Sequence, residues 1–167
     1  MQDITRLIEN VTREVLEQNA AVPEKKHPPL AAMTLDAARK LITAVEVRAR
    51  EMGVNTVCAV ADAGGNLLAL ERMEDAFIAS IDIAVNKAFT VTALKMPTKE
   101  LASLAAPGGS LYGIQFTNGG KIVIFGGGEP LYASGKLVGG FGVSGGTAEE
   151  DTALGEYARS YFESHIA

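Results

Sequence analysis

Asn55-Thr-Val-Cys-Ala-Val-Ala-Asp-Ala-Gly-Gly-Asn-Leu-Leu-Ala-Leu-Glu-Arg-Met73 is the stretch that decides the fold class. Two strand-like runs, Asn55 to Ala61 and Leu67 to Met73, flank the turn residues Asp62 to Asn66, and together they read as an antiparallel hairpin. Upstream, Thr34 can cap a helix that keeps Leu35, Ala38, Leu41, Ile42, Val45, Ala49 and Met52 on one face, and Gly53 stops it. Downstream, Asp75 can cap a long helix through Phe77, Ile81, Ala84, Val85, Ala88, Phe89 and Thr92; Pro97 ends it, and a short helix follows from Thr98 to Ala105. Lys121 to Phe125 reads as a third strand, and Pro130 to Tyr132 and Leu137 to Val143 as two more around the turn Ala133-Ser-Gly-Lys136. A capping box, Thr147-Ala-Glu-Glu150, opens a last helix that buries Leu154, Tyr157, Ala158, Tyr161 and Phe162. The expected fold is α+β: an antiparallel five-stranded sheet with packed helices, occupying residues 34–167.

A tethered helix precedes that domain. Ile4, Leu7, Ile8, Val11 and Val15 recur at helical spacing within residues 1–18, opposite Asp3, Arg6, Glu9, Arg13, Glu14 and Glu17. Residues 19–33 form a linker in which Pro23, Pro28 and Pro29 oppose helix. A helix of about four turns is only marginally stable alone in water, so a surface must cover its apolar stripe. Interrupting charges exclude a secretory signal, and the acidic residues argue against a mitochondrial presequence. The helix docks either on its own assembly or in a partner's groove.

Composition narrows the function. Hydrophobic residues at 47% and charged residues at 21% describe a soluble globular protein, and no run approaches the length of a membrane span. A net charge of −5 without a basic cluster gives no attraction for phosphate backbones, which excludes nucleic acid. The lone Cys58 excludes an internal disulfide, a zinc ribbon, a Cys-x-x-Cys redox pair and covalent haem attachment, and it reads as a core thiol in a reducing, cytoplasmic setting.

Eleven of the eighteen glycines lie between Gly119 and Gly146. A phosphate cradle needs its glycines between strand and helix, whereas Gly126-Gly-Gly128 leads into another strand, so turns and close backbone approach explain these glycines better. Gly142-Val-Ser-Gly-Gly146 has the form of a nucleophile elbow, but the only histidine after it is His165 near the chain end; Ser144 reads as a turn serine capping the last helix.

Among charged candidates Asp62, Arg72, Asp75, Asp82 and Lys87, the last stands among Ala84, Val85, Ala88 and Phe89, where a lysine can snorkel, pair between elements or bind a ligand carboxylate. Noncovalent haem needs one His or Tyr ligand, an apolar cleft and cations for the propionates. His27, flanked by Lys25 and Lys26, suits that role; Tyr112 and Met96 are weaker axial candidates.

Several motifs in order resemble the GlcG/HbpS family of haem-binding proteins, also found as the C-terminal domain of PduO-type cobalamin adenosyltransferases. They are Val60 to Met73, Ser80 to Thr90, Met96-Pro-Thr98, Tyr112-Gly-Ile-Gln115, Ile124-Phe-Gly-Gly-Gly128 and Gly139 to Gly146. The resemblance implies a GlcG/HbpS-like sheet with helices, homo-oligomers and, for some members, haem. Some members carry His where this chain has Asn66, so that ligand position is lost. Ile4 to Leu16 resembles the encapsulation peptides that bind shell protein and direct enzymes into bacterial microcompartments.

The expected function is therefore a noncatalytic haem-binding accessory protein, packaged in a microcompartment beside a cobalamin-dependent or glycyl-radical pathway. His27 is the expected iron ligand, with Lys87 and Arg72 as propionate partners. The alternatives are an enzyme or sensor for another flat or acidic metabolite, and a structural cargo protein without ligand.

Overall fold

The structure is a computed structural model that describes residues 30–167. The expected helix 1–18, most of the linker 19–33 and His27 lie outside the described residues. The chain order is α1 (Leu35–Met52), β1 (Val57–Asp62), β2 (Leu67–Arg72), α2 (Ala79–Leu94), α3 (Thr98–Ala105), β3 (Gly128–Ala133), β4 (Lys136–Ser144) and α4 (Ala148–His165). The strands form one antiparallel sheet in the order β2-β1-β4-β3, with both hairpins formed between sequence neighbours. Helices cover both faces, as an α+β domain requires.

Alternation along the strands assigns the faces. Cys58, Val60, Phe141 and Val143 point toward α1 and α4, where Leu41, Ile42, Val45, Leu154, Ala158 and Phe162 complete the larger core. Val57, Ala59 and Ala61 point the other way, toward Ala84 and Ala88 of α2. Met33 is already buried, and its side chain packs beside Gly139.

Close approach explains the glycines of β4. A Cβ on Gly140 would meet Ala88 O and Val91 Cγ2, and one on Gly142 would meet Ala84 O and Ala88 N. The backbone of α2 thus rests on the backbone of β4, with alanines one turn apart on the helix side.

The local signals mostly produce the expected elements. Thr34 accepts Ala37 N–H, Gly53 closes α1 at φ 72°, and Thr147 and Glu150 cap each other's backbone at the start of α4. Three expectations are corrected. The sheet has four strands, because Lys121 to Phe125 pairs with no neighbour: Thr90 Oγ1 accepts Val123 N–H at 3.0 Å and lies 3.2 Å from Lys121 O, so a helix side chain takes the place of a ladder. Asp75 caps nothing; it adopts φ 62°, and α2 starts after Ile78 without a side-chain cap. Ser144 ends β4 and is not the cap of the last helix, which is Thr147.

Candidate functional site

Two neighbouring clefts open where the first turns of α2 and α4 meet the segment before β3. One, of about 250 Å³, is walled by Phe77, Ala79, Ile83, Phe125 and Ala148, with Ser80, Ser144 and Asp151 among its polar lining. The other, of about 450 Å³, lies between α3 and α4 against Ala102, Phe125, Gly126, Ala153 and Thr152, with Lys99, Glu149 and Glu156 also lining it. Phe125 and Ala148 belong to both. The larger falls in the size range of small-molecule sites.

Behind Phe125 lies a buried ion pair. Lys87 Nζ donates to Asp151 Oδ2 at 2.7 Å and to Val143 O at 2.6 Å, and it stands 4.9 Å from the Phe125 ring centroid. Lys87 is fully buried and Asp151 nearly so. The lysine passes Gly142 and Gly127, where side chains would collide with it. Burial pulls the Lys87 ammonium below its usual range and pushes the Asp151 carboxyl above its own, each partly offset by the other's charge. Asp151 Oδ1 also accepts Gly146 N–H at 3.0 Å. At the floor of the smaller cleft, Ser144 Oγ donates to Ser80 Oγ at 3.0 Å.

Of the residues expected from sequence, Lys87 is thus one aromatic ring away from both clefts, paired to another element. Arg72 lines neither cleft: it pairs in register with Val57, which on its other side faces Ser144, and its Nη2 donates to Ala76 O at 2.6 Å. Arg72 and the Ser80–Ser144 pair therefore sit at the same end of the sheet. His27 lies outside the described residues. His165 is on α4 away from the clefts, stacked on Tyr161 with ring centroids 4.4 Å apart, and Tyr112 projects from the loop after α3. Among the described residues no group of three or more His, Cys, Asp and Glu could hold a metal ion. The Cys58 thiol is sealed in the core, and burial pushes it up to about 12.

Two carboxylates were missed. Asp151 heads the stripe Leu154, Ala158, Phe162, and an acid on the buried face of a helix signals a buried partner. Glu129 is 3% exposed on β3; its Oε2 has no hydrogen-bond donor and lies 3.4 Å from Arg159 Nη1, and burial pushes the carboxyl up to about 7. Nothing in the run Gly126-Gly-Gly-Glu-Pro130 distinguishes that acid from a solvated one.

Comparison with known proteins settles the family. The family model described as haem degrading protein HbpS-like matches residues 33–159. An uncharacterized 15.0 kDa protein from the dhaT-dhaS intergenic region of Citrobacter freundii is 49% identical over 137 residues, 82% of this chain and 96% of that one. Corrinoid adenosyltransferase PduO of the same organism is 36% identical over 151 residues, covering 89% of this chain and 45% of PduO, so the chain spans under half of that enzyme. The crystal structure of a PduOC:haem complex superposes with a TM-score of 0.75 at 37% identity, over 78% of this chain and 94% of that one. With its fold and most of its length matched, this chain is a member of the HbpS-like family.

Proposed function

We propose that this protein is a noncatalytic haem-binding accessory protein, assembled as a homo-oligomer and carried into a bacterial microcompartment by residues 1–18. The observation that carries the haem reading is the similarity to a domain crystallised with haem. The fit is divided. The apolar walls around Phe125, Ala102 and Ala153 suit the face of a porphyrin, whereas no His, Cys, Met or Tyr lines either cleft to bind iron. The iron ligand is assigned to His27, outside the described residues, and the propionates to Arg72, which is exposed, and Lys87, which stands behind Phe125. Bound haem would supply an iron centre; the protein's part is to ligate it and cover its ring.

Homo-oligomerisation is supported by Ile78 and Phe116, which are 81 and 83% exposed, and by α2, which is apolar on nearly every side. Among the described residues no helix is long and apolar enough to cross a membrane. Packaging is tested by deleting residues 1–18 and measuring co-sedimentation with shell protein; unchanged packaging refutes the tag.

The haem test is a hemin titration of the full chain followed in the visible region. A saturable, stoichiometric Soret shift, lost in His27→Ala and kept in His165→Ala, is expected. A response that does not saturate, or that His27→Ala leaves intact, overturns the ligand assignment. A Soret band that decays on adding ascorbate would replace the noncatalytic reading with haem degradation.

A further inference from the structure

The motif Gly142-Val-Ser-Gly-Gly146 delivers Ser144 to a built position. Ser144 and Ser80 are 5% and 3% exposed, come from β4 and α2, and meet at 3.0 Å on the floor of the smaller cleft. A hydroxyl offers one donor and two acceptor sites. With Ser144 donating to Ser80, the Ser80 proton and the Ser144 lone pairs have no other partner among the described residues. The two hydroxyls thus have hydrogen-bonding capacity left over on the cleft side, where a matched ligand group can use it. A neutral group with both a donor and an acceptor matches this pair, and another hydroxyl is the smallest such group on an alkyl body.

The surroundings set the rest of the ligand. Phe77, Ile83 and Phe125 provide an apolar wall. Asp151 is already paired with Lys87, and a carboxylate has no proton to give the Ser144 lone pairs, so it matches the serine pair less well than an alcohol does. The cleft's 250 Å³ equals about eight waters of liquid, room for a body of about half a dozen heavy atoms and too little for a porphyrin.

We propose that this cleft is a binding site for a small neutral alcohol, its hydroxyl on the Ser80–Ser144 pair and its short alkyl body against Phe77, Ile83 and Phe125. The site shares Phe125 with the haem reading, and the two are distinguished by testing the alcohol without hemin. The test is a titration of the full chain, without hemin, followed by amide nitrogen–proton NMR, using 1-butanol as probe and butyrate as the charged comparator of equal length. Saturable shifts at Ser80, Ser144 and Ala148 are expected with 1-butanol and none with butyrate. Ser80→Ala should weaken binding at least about fivefold, the loss of one satisfied hydrogen bond, while keeping a dispersed spectrum. Ser144→Ala provides the same reading should Ser80→Ala fail to fold. Linear, unsaturating shifts, equal binding of butyrate, or unchanged affinity in the serine variants would each overturn the assignment.

Discussion

Lys87 Nζ lies 2.7 Å from Asp151 Oδ2, and this ion pair joins α2 on one face of the sheet to α4 on the other. The lysine reaches across because Gly142 and Gly127 carry no side chains and the chain has not yet entered β3. Such a pair gains little over an apolar substitute, since desolvating two charges offsets most of their attraction. Removing one partner is a different matter, because the other charge is left buried alone.

Lys87→Met is therefore expected to lower unfolding free energy by about 3–5 kcal/mol. Asp151→Ala should cost at least as much, since Gly146 N–H also loses its acceptor. The double variant Lys87→Met/Asp151→Ala should be more stable than the sum of its single losses predicts. Urea denaturation of the four proteins measures that coupling; strict additivity would mean the pair is not formed.

Glu129 should make stability depend on pH near neutrality. Burial raises its carboxyl from 4.5 to about 7, with Glu156 and Glu100 adding to the rise and Arg159 and Lys99 opposing it. Between those values the folded chain holds a proton that the unfolded chain has released, so this contribution is full below about pH 4.5 and is lost as pH climbs through about 7. The ceiling on the loss is about 3 kcal/mol. Glu129→Gln should flatten the slope of urea midpoints between mildly acidic and mildly alkaline buffers and be the more stable protein at the alkaline end. A parallel slope in the variant would assign the pH dependence elsewhere.

Glycines in β4 and at the end of α1 should differ in cost. Gly53 has φ 72° and open space around it, so Gly53→Ala pays only backbone strain, about 1 kcal/mol. Gly142→Ala would drive a methyl into Ala84 O and Ala88 N and lift α2 from the sheet, at about 3 kcal/mol or more. Equal thermal destabilisation of the two variants would contradict the backbone-to-backbone packing.

Ile78 tests the oligomer. It is 81% exposed just before α2, outside both cleft linings. Ile78→Lys should reduce the mass measured by light scattering while leaving far-ultraviolet circular dichroism unchanged. An unchanged mass would remove this face from the interface.

Signals that act within one turn or one hairpin were legible before any coordinates. Thr34 and Gly53 bound α1, Pro97 and Thr98 separate α2 from α3, and Thr147 with Glu150 opens α4, because each of these residues satisfies or terminates backbone bonds a few positions away. The hairpin between β1 and β2 follows from its turn residues in the same way. Lys121 to Phe125 shows the limit: Ile122 and Val123 are buried as an apolar run demands, but a strand also needs a neighbour, and here Thr90 supplies the bonds instead.

The site was legible in part. Lys87 stood out as a charge among apolar neighbours, but whether it faced a ligand or an acid depended on Asp151, sixty-four positions away. The same separation hid the meeting of Ser80 with Ser144. Sequence by itself determined the helices, the antiparallel hairpins and the family resemblance, since these follow from local periodicity, caps and ordered motifs. Only the tertiary structure decided the strand count, the partner of Lys87 and the shape of the clefts. Those depend on which surfaces compete for one another in three dimensions, and that competition is settled by burial and by the pairing of every polar group within it.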